Sequence, residues 1–184
     1  GNIAAASSHG HFIRVYTASQ GSDSAKYTEY SLQGAHGVLW DPEQELLWAL
    51  GDLYLVALKV KGTPEKPQLE EISRSSLPTF GGHDLSPVYG DTNKLWVTTN
   101  TNVYQYSKST DAWSQEFEGA SEINRKSVKS IGNQPSGQVI MAVPKEGTLY
   151  SWTTDTIDFY LPSYQRVLTG GSFYKARIWN PDYQ

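Results

Sequence analysis

The stretch that decides the fold spans residues 35–58 and reads AHGVLWDPEQELLWALGDLYLVAL. It contains three short apolar runs, at residues 38–40, 46–50 and 55–58, with polar or glycine-containing turns between them. Apolar runs of this length are typical of β-strands, and Asp, Pro and Gly are typical of the reversals between strands. The stretch therefore predicts three consecutive strands of one antiparallel sheet.

The same order of runs returns further along the chain. His83 lies 47 residues after His36, and Trp96 lies 48 residues after Trp48. A third copy follows, with its third strand expected at residues 149–152. Four short strands in a repeat of 45–48 residues are the signature of a β-propeller blade. The sequence therefore predicts an all-β fold, a β-propeller of about four blades or part of a larger propeller.

The repeat divides the chain, taken as a single domain, into blade units at residues 2–34, 35–80, 81–126 and 127–171. The first unit lacks its first strand, whereas residues 172–179 form a strand-like segment with no later strand to pair with. We expect this segment to pair with residues 2–8 and close the ring, because neither end then leaves an unpaired edge. If the chain is instead part of a larger propeller, another copy of the chain would have to cover those edges, and the chain would then self-associate.

Composition and charge exclude several classes of protein. The net charge is −4 and the isoelectric point is near 5.5, which does not fit a nucleic-acid-binding surface. The sequence contains no cysteine and no apolar stretch long enough for a membrane span. It also lacks a phosphate-binding glycine loop, a nucleophile elbow, a zinc-protease motif and a dinucleotide fingerprint.

Five motifs together resemble an uncharacterised family of exported β-propellers, a domain of unknown function found mainly in gut Bacteroidetes. They are HGVLWDP at 36–42, LWALG at 47–51, GHDL at 82–85, VKSI at 128–131 and FYKAR at 173–177. The resemblance extends from about residue 2 to residue 179. It implies a propeller fold and a periplasmic or extracellular location, but no activity and no catalytic residues. Members of that family have further blades before the position of residue 2.

Polar residues recur at the start of the predicted innermost strand of each unit. These are His36, His83 and Lys129, and Lys175 takes the same place if residues 172–179 close the ring. Asp84 follows His83 directly. Innermost strands line a propeller's channel, so we expect these side chains to meet at one mouth of it. They could bind an anionic sugar, hold a metal through the histidines, perform acid–base chemistry, or simply join adjacent blades through hydrogen bonds.

Trp40 is a further candidate, because it could stack on a sugar ring if it reaches the channel mouth. No catalytic residue, metal site or cofactor is assigned. One hypothesis is a non-enzymatic binding or scaffold propeller that recognises a glycan or a protein at one face of the disc. The alternative is a polysaccharide lyase or hydrolase that uses the channel-mouth residues, with or without a divalent metal. The absence of a catalytic motif favours the first. The candidate ligand-binding residues are His36, His83, Asp84, Lys129, Lys175 and Trp40.

Overall fold

The computed structural model describes residues 1–179 of the 184-residue chain. Its regular structure consists of antiparallel strands, apart from one 3-10 turn at Ala18–Gln20 and one helical turn, α1, at Ala120–Ile123. The prediction of an all-β fold is confirmed. The strands are β1 (Ile3–Ser7), β2 (Phe12–Tyr16), β3 (Tyr27–Ser31), β4 (Gly37–Asp41), β5 (Leu46–Leu50), β6 (Tyr54–Thr63), β7 (Lys66–Ser76), β8 (Asp84–Pro87), β9 (Lys94–Thr98), β10 (Val103–Ser107), β11 (Ala112–Ser114), β12 (Ser130–Asn133), β13 (Val139–Ala142), β14 (Thr156–Tyr160) and β15 (Tyr164–Val167).

The strands form four sheets, and each sheet is built from strands that are consecutive in sequence. The first contains β1 to β3, the second β4 to β7, the third β8 to β11 and the fourth β12 to β15. Each strand pairs with the next one along the chain, so every sheet is a meander. Short turns are sufficient for such connections, in agreement with the turn residues between the apolar runs.

The contacts divide the described residues into two compact units, one covering Gly1–Leu77 and the other beginning at Pro78. The first unit holds the first two sheets around a core that includes Ile13, Leu47 and Val56. The second unit holds the other two sheets around a core that includes Trp96 and Ile131. The single domain and the blade boundaries inferred from the repeat stay predictions.

Two central strands show why the apolar runs are continuous. β5 is buried from Leu47 to Leu50, and β9 is buried from Leu95 to Thr98. Each lies between two hydrogen-bonded neighbours with both faces covered, which favours a continuous apolar run over an alternating pattern. The tryptophans at matching positions of these strands, Trp48 and Trp96, are both buried.

Three sheets begin with the same backbone hydrogen bond. In each case a backbone N–H donates to the carbonyl of the last residue of the second strand of the sheet. The pairs are His36 with Leu50 at 2.8 Å, His83 with Thr98 at 2.8 Å and Lys129 with Ala142 at 2.9 Å. Each of the three residues directly precedes the first strand of its sheet. They therefore occupy one equivalent position, as the repeat predicts.

The strand expected at residues 149–152 is not formed. These residues lie in the loop between β13 and β14, and the third strand of the fourth sheet is β14 instead. Leu149 is 74% exposed and Trp152 is 52% exposed, so this apolar run does not bury a face as a strand of the sheet would. The hydroxyl groups of Thr148 and Thr153 bind carbonyls of the loop itself.

The strand expected at residues 172–179 is also not formed. Within this segment only Phe173 makes a β-bridge, with Thr154. The N–H of Ala176 donates to the Ser130 hydroxyl at 2.9 Å rather than to a strand carbonyl. The first sheet correspondingly has three strands in the described structure, and not the four that the closing segment was expected to complete.

Candidate functional site

Asp84 is the centre of a charged cluster in the second unit. As the first residue of β8 it is completely buried, with 0% of its surface exposed. Its carboxylate accepts hydrogen bonds from the N–H of Ile131 at 2.9 Å and from the ammonium of Lys175 at 2.8 Å. The guanidinium of Arg177 donates to both carboxylate oxygens. Charge-assisted bonds of this kind offset the cost of burying the carboxylate.

His83 connects two lysines to this cluster. Its Nε2 lies 2.9 Å from the ammonium of Lys129 and 2.8 Å from the side-chain oxygen of Asn100. A ring nitrogen cannot accept from Lys129 and donate to Asn100 at once, so the tautomer decides which bond forms. The backbone carbonyl of His83 accepts a further hydrogen bond from Lys175, at 2.7 Å.

The cluster carries more positive than negative charge. Lys129, Lys175 and Arg177 contribute three positive charges against the one carboxylate of Asp84, a balance of +2 with His83 neutral. Both Lys175 and Arg177 form ion pairs with Asp84, whereas within residues 1–179 no carboxylate is paired with Lys129. Burial lowers the pKa of the Lys129 ammonium, and the charge of Lys175 lowers it further. The arrangement therefore favours an added anion beside Lys129.

Four of the six predicted residues are brought together here: His83, Asp84, Lys129 and Lys175. The other two, His36 and Trp40, lie in the compact unit Gly1–Leu77. The Nδ1 atom of His36 lies 2.9 Å from the carbonyl oxygen of Gly34, and Trp40 in β4 is 47% exposed. A ligand-binding role for any of the six stays a prediction.

Lys175 is displaced by one position from its predicted place. The Ser130 hydroxyl accepts the N–H of Ala176 in the same way as the Asp84 carboxylate accepts the N–H of Ile131, each at 2.9 Å. Asp84 and Ser130 each follow the repeated position, held by His83 and Lys129, directly. Ala176 therefore matches Ile131, and Lys175, the residue before it, matches Ser130 and not Lys129.

Sequence reasoning missed Arg177 and Asn100. The spacing from Lys175 could have indicated Arg177, because residues two apart in an extended segment point to the same side and Lys175 is a predicted site residue. No such spacing indicates Asn100, since it lies after β9 as one of several polar residues in a turn. In the part of the chain that the structure describes, no group of three or more His, Asp or Glu side chains is arranged to hold a metal ion.

Within residues 1–179 the chain is all-β, with four antiparallel sheets, and its second unit holds a buried carboxylate surrounded by cations. The chain belongs to a family of unknown function, DUF6528, whose model matches residues 1–179. A search of the curated proteins found no match. No helix within residues 1–179 has the length and apolar character needed to cross a membrane.

Proposed function

We propose that this chain is a non-enzymatic binding domain that recognises an acidic glycan through a sugar carboxylate, at the cluster of Lys129, Lys175 and Arg177. The observation that carries the proposal is the state of Lys129. Its ammonium is partly buried beside a second lysine, and no carboxylate within residues 1–179 pairs with it. A ligand carboxylate would neutralise that charge, and charge-assisted bonds to an ammonium or guanidinium are among the stronger hydrogen bonds.

The position of Asp84 supports binding over catalysis. Its two oxygens already accept four hydrogen bonds, from Ile131, Lys175 and Arg177, and none of its surface is exposed. A general acid or base must come within hydrogen-bond reach of the proton that it transfers. Asp84, the carboxylate that a lyase or hydrolase would use here, is instead engaged in holding the cations in place.

We further propose that the four sheets are blades of a β-propeller, complete or part of a larger one, that acts outside the cytoplasm. Support comes from the meander order of the sheets, the repeat of 45–48 residues and the equivalent hydrogen bonds of His36, His83 and Lys129. The resemblance to exported propellers supports the location.

Replacing Lys129 with methionine should weaken the binding of trigalacturonate at least about tenfold, since one charge-assisted bond contributes about 1.5–3 kcal/mol. Lys129 is the informative position because its removal does not deprive Asp84 of an ion-pair partner. Isothermal titration calorimetry measures the affinity, with neutral maltotriose as the control ligand.

Lys94→Met is the matched control variant. Lys94 is a partly exposed lysine of the same unit that pairs with Asp91 at 3.1 Å, outside the cluster. It should bind trigalacturonate as the wild type does. Equal affinity in Lys129→Met and wild type would contradict the site. Binding of an acidic peptide in preference to trigalacturonate would assign the cluster to a protein ligand instead.

Binding should also depend on pH through Lys129. In the free protein the pKa of Lys129 lies below its ordinary value of 10.5, so the ammonium loses its proton earlier than an exposed lysine does. An anionic ligand favours the protonated form, so affinity should fall as the pH rises through that lowered pKa. Titrations in two buffers of different ionisation enthalpy should show proton uptake on binding, and Lys129→Met should abolish this uptake.

A further inference from the structure

The loop between β13 and β14 is held in one shape by its own hydroxyl groups. The Oγ1 atom of Thr148 lies 3.0–3.1 Å from the carbonyl oxygens of Lys145, Tyr150 and Thr153. The hydroxyl of Thr153 lies 2.8 Å from the carbonyl of Tyr150 and 2.6 Å from the hydroxyl of Ser172. The Thr148 hydroxyl has one proton, so it donates to one of these three carbonyls at a time. The contacts connect the loop to itself and to the C-terminal segment, so its side chains are presented from an ordered backbone.

The same loop presents two aromatic rings to solvent. Tyr150 is 49% exposed and Trp152 is 52% exposed, and the rings stack with centroids 4.9 Å apart and planes 11° apart. Stacking fixes both rings, so little conformational entropy is lost when a ligand packs on them. The face of an aromatic ring carries partial negative charge and attracts the weakly positive C–H groups on the face of a sugar ring.

A polar cavity of about 190 Å³ opens beside the base of this loop. The loop contributes Lys145 and Thr154 to its wall, and Arg125, Asp158 and Gln165 also line it. The cavity is smaller than the roughly 300–1,000 Å³ of pockets for drug-sized ligands, so it suits a single small ring.

The cavity wall offers both donors and acceptors, and each of its charged side chains is ion-paired. Arg125 pairs with Asp158, and Lys145 pairs with Asp155 at 3.2 Å. The amide of Gln165 donates to Asp158 at 2.7 Å. A sugar hydroxyl both donates and accepts, so it can join such a wall without leaving a charge unpaired. This pairing contrasts with the excess of positive charge around Lys129 and favours an uncharged ligand.

We propose that the loop of residues 143–155 and this cavity form a binding site for neutral sugar units of a glycan. Tyr150 and Trp152, which lie in the loop but not in the cavity wall, provide a stacking surface for one sugar ring, and Gln165, Asp158 and Lys145 provide polar contacts for another in the cavity. The site shares no residue with the cluster around Asp84. It therefore stands independently of the proposed recognition of an acidic sugar, and the two can be tested separately.

The test is titration calorimetry with uncharged oligosaccharides: maltohexaose, cellohexaose, xylohexaose and mannohexaose. At least one should bind in the micromolar to millimolar range, and both Trp152→Ala and Gln165→Ala should weaken that binding at least tenfold. Phe80→Ala is the matched control, because Phe80 is an exposed aromatic of the same unit outside the loop, at 59% exposure. It should leave the affinity unchanged. Lys129→Met should also leave it unchanged, since these probes carry no charge.

Three outcomes would overturn the proposal. One is the absence of binding by all four oligosaccharides at millimolar concentration in folded protein. A second is binding that Trp152→Ala and Gln165→Ala leave intact. The third is a dimer, seen by analytical ultracentrifugation, that Trp152→Ala converts to a monomer, which would assign the aromatic pair to self-association. Loss of trigalacturonate binding alone would bear on the acidic-sugar site and not on this one.

Discussion

Replacing Asp84 with asparagine should lower the free energy of unfolding by about 3 kcal/mol, at the lower end of the cost of breaking a buried ion pair. The asparagine oxygen can still accept the N–H of Ile131, but Lys175 and Arg177 lose the carboxylate that balances them. The lower end applies because the side chains of Lys175 and Arg177 remain 20% and 47% exposed, so water can partly solvate the released charges.

Urea denaturation followed by circular dichroism measures this loss. The matched control is Glu45→Gln, which removes the ion pair between Glu45 and Lys59. The Glu45 side chain is 71% exposed, so this substitution should lower the free energy of unfolding by less than about 1 kcal/mol. Adding Lys175→Met to Asp84→Asn should recover part of the stability, because one unbalanced cation is then removed. A cost for Asp84→Asn no larger than that of Glu45→Gln would show that the buried carboxylate is not what holds the cations.

Most of the fold could be predicted because it depends on local patterns. The apolar runs at residues 46–50, 95–97 and 139–142 lie in strands between two neighbours, and burial on both faces favours such continuous runs. The prediction was wrong at residues 149–152, where Leu, Tyr and Trp also form an apolar run. Their exposure follows from the threonine bonds that fold the loop back on itself, and periodicity carries no information on those bonds.

Part of the candidate site could be predicted for a similar reason. His83 and Lys129 stand at an equivalent position of a repeat, so their neighbourhood in the sheets follows from the repeat itself. The partners of Asp84 did not follow in full, because Lys175 and Arg177 reach it from a segment with no strand of its own, 91 and 93 residues away in sequence. Contacts at such separations depend on the path of the chain between them.

The largest loss of stability is expected at Trp96, where substitution by alanine should lower the free energy of unfolding by about 3–5 kcal/mol. The side chain is 3% exposed and packs edge-on against Phe117, with ring centroids 4.9 Å apart. Its indole N–H donates to the side-chain oxygen of Asn133 at 2.9 Å. Trp96 lies in β9 and Asn133 in β12, so this contact joins the two sheets of the second unit.

The contribution of the hydrogen bond can be separated from that of packing. Trp96→Phe keeps an aromatic ring but leaves the Asn133 oxygen with a single donor within residues 1–179, the N–H of Tyr89 at 3.1 Å. It should therefore cost less than Trp96→Ala. Trp152→Ala, which removes an indole that is 52% exposed, should cost under about 1 kcal/mol and serves as the control for loss of a tryptophan. Equal losses of unfolding free energy in Trp96→Ala and Trp152→Ala would contradict the role of Trp96 in joining the two sheets. Because Trp96 holds β9 against β12, losing its bond to Asn133 should also loosen the hydrogen bond from the N–H of Ile131 to Asp84. Trp96→Phe should therefore weaken trigalacturonate binding, while Trp152→Ala should not.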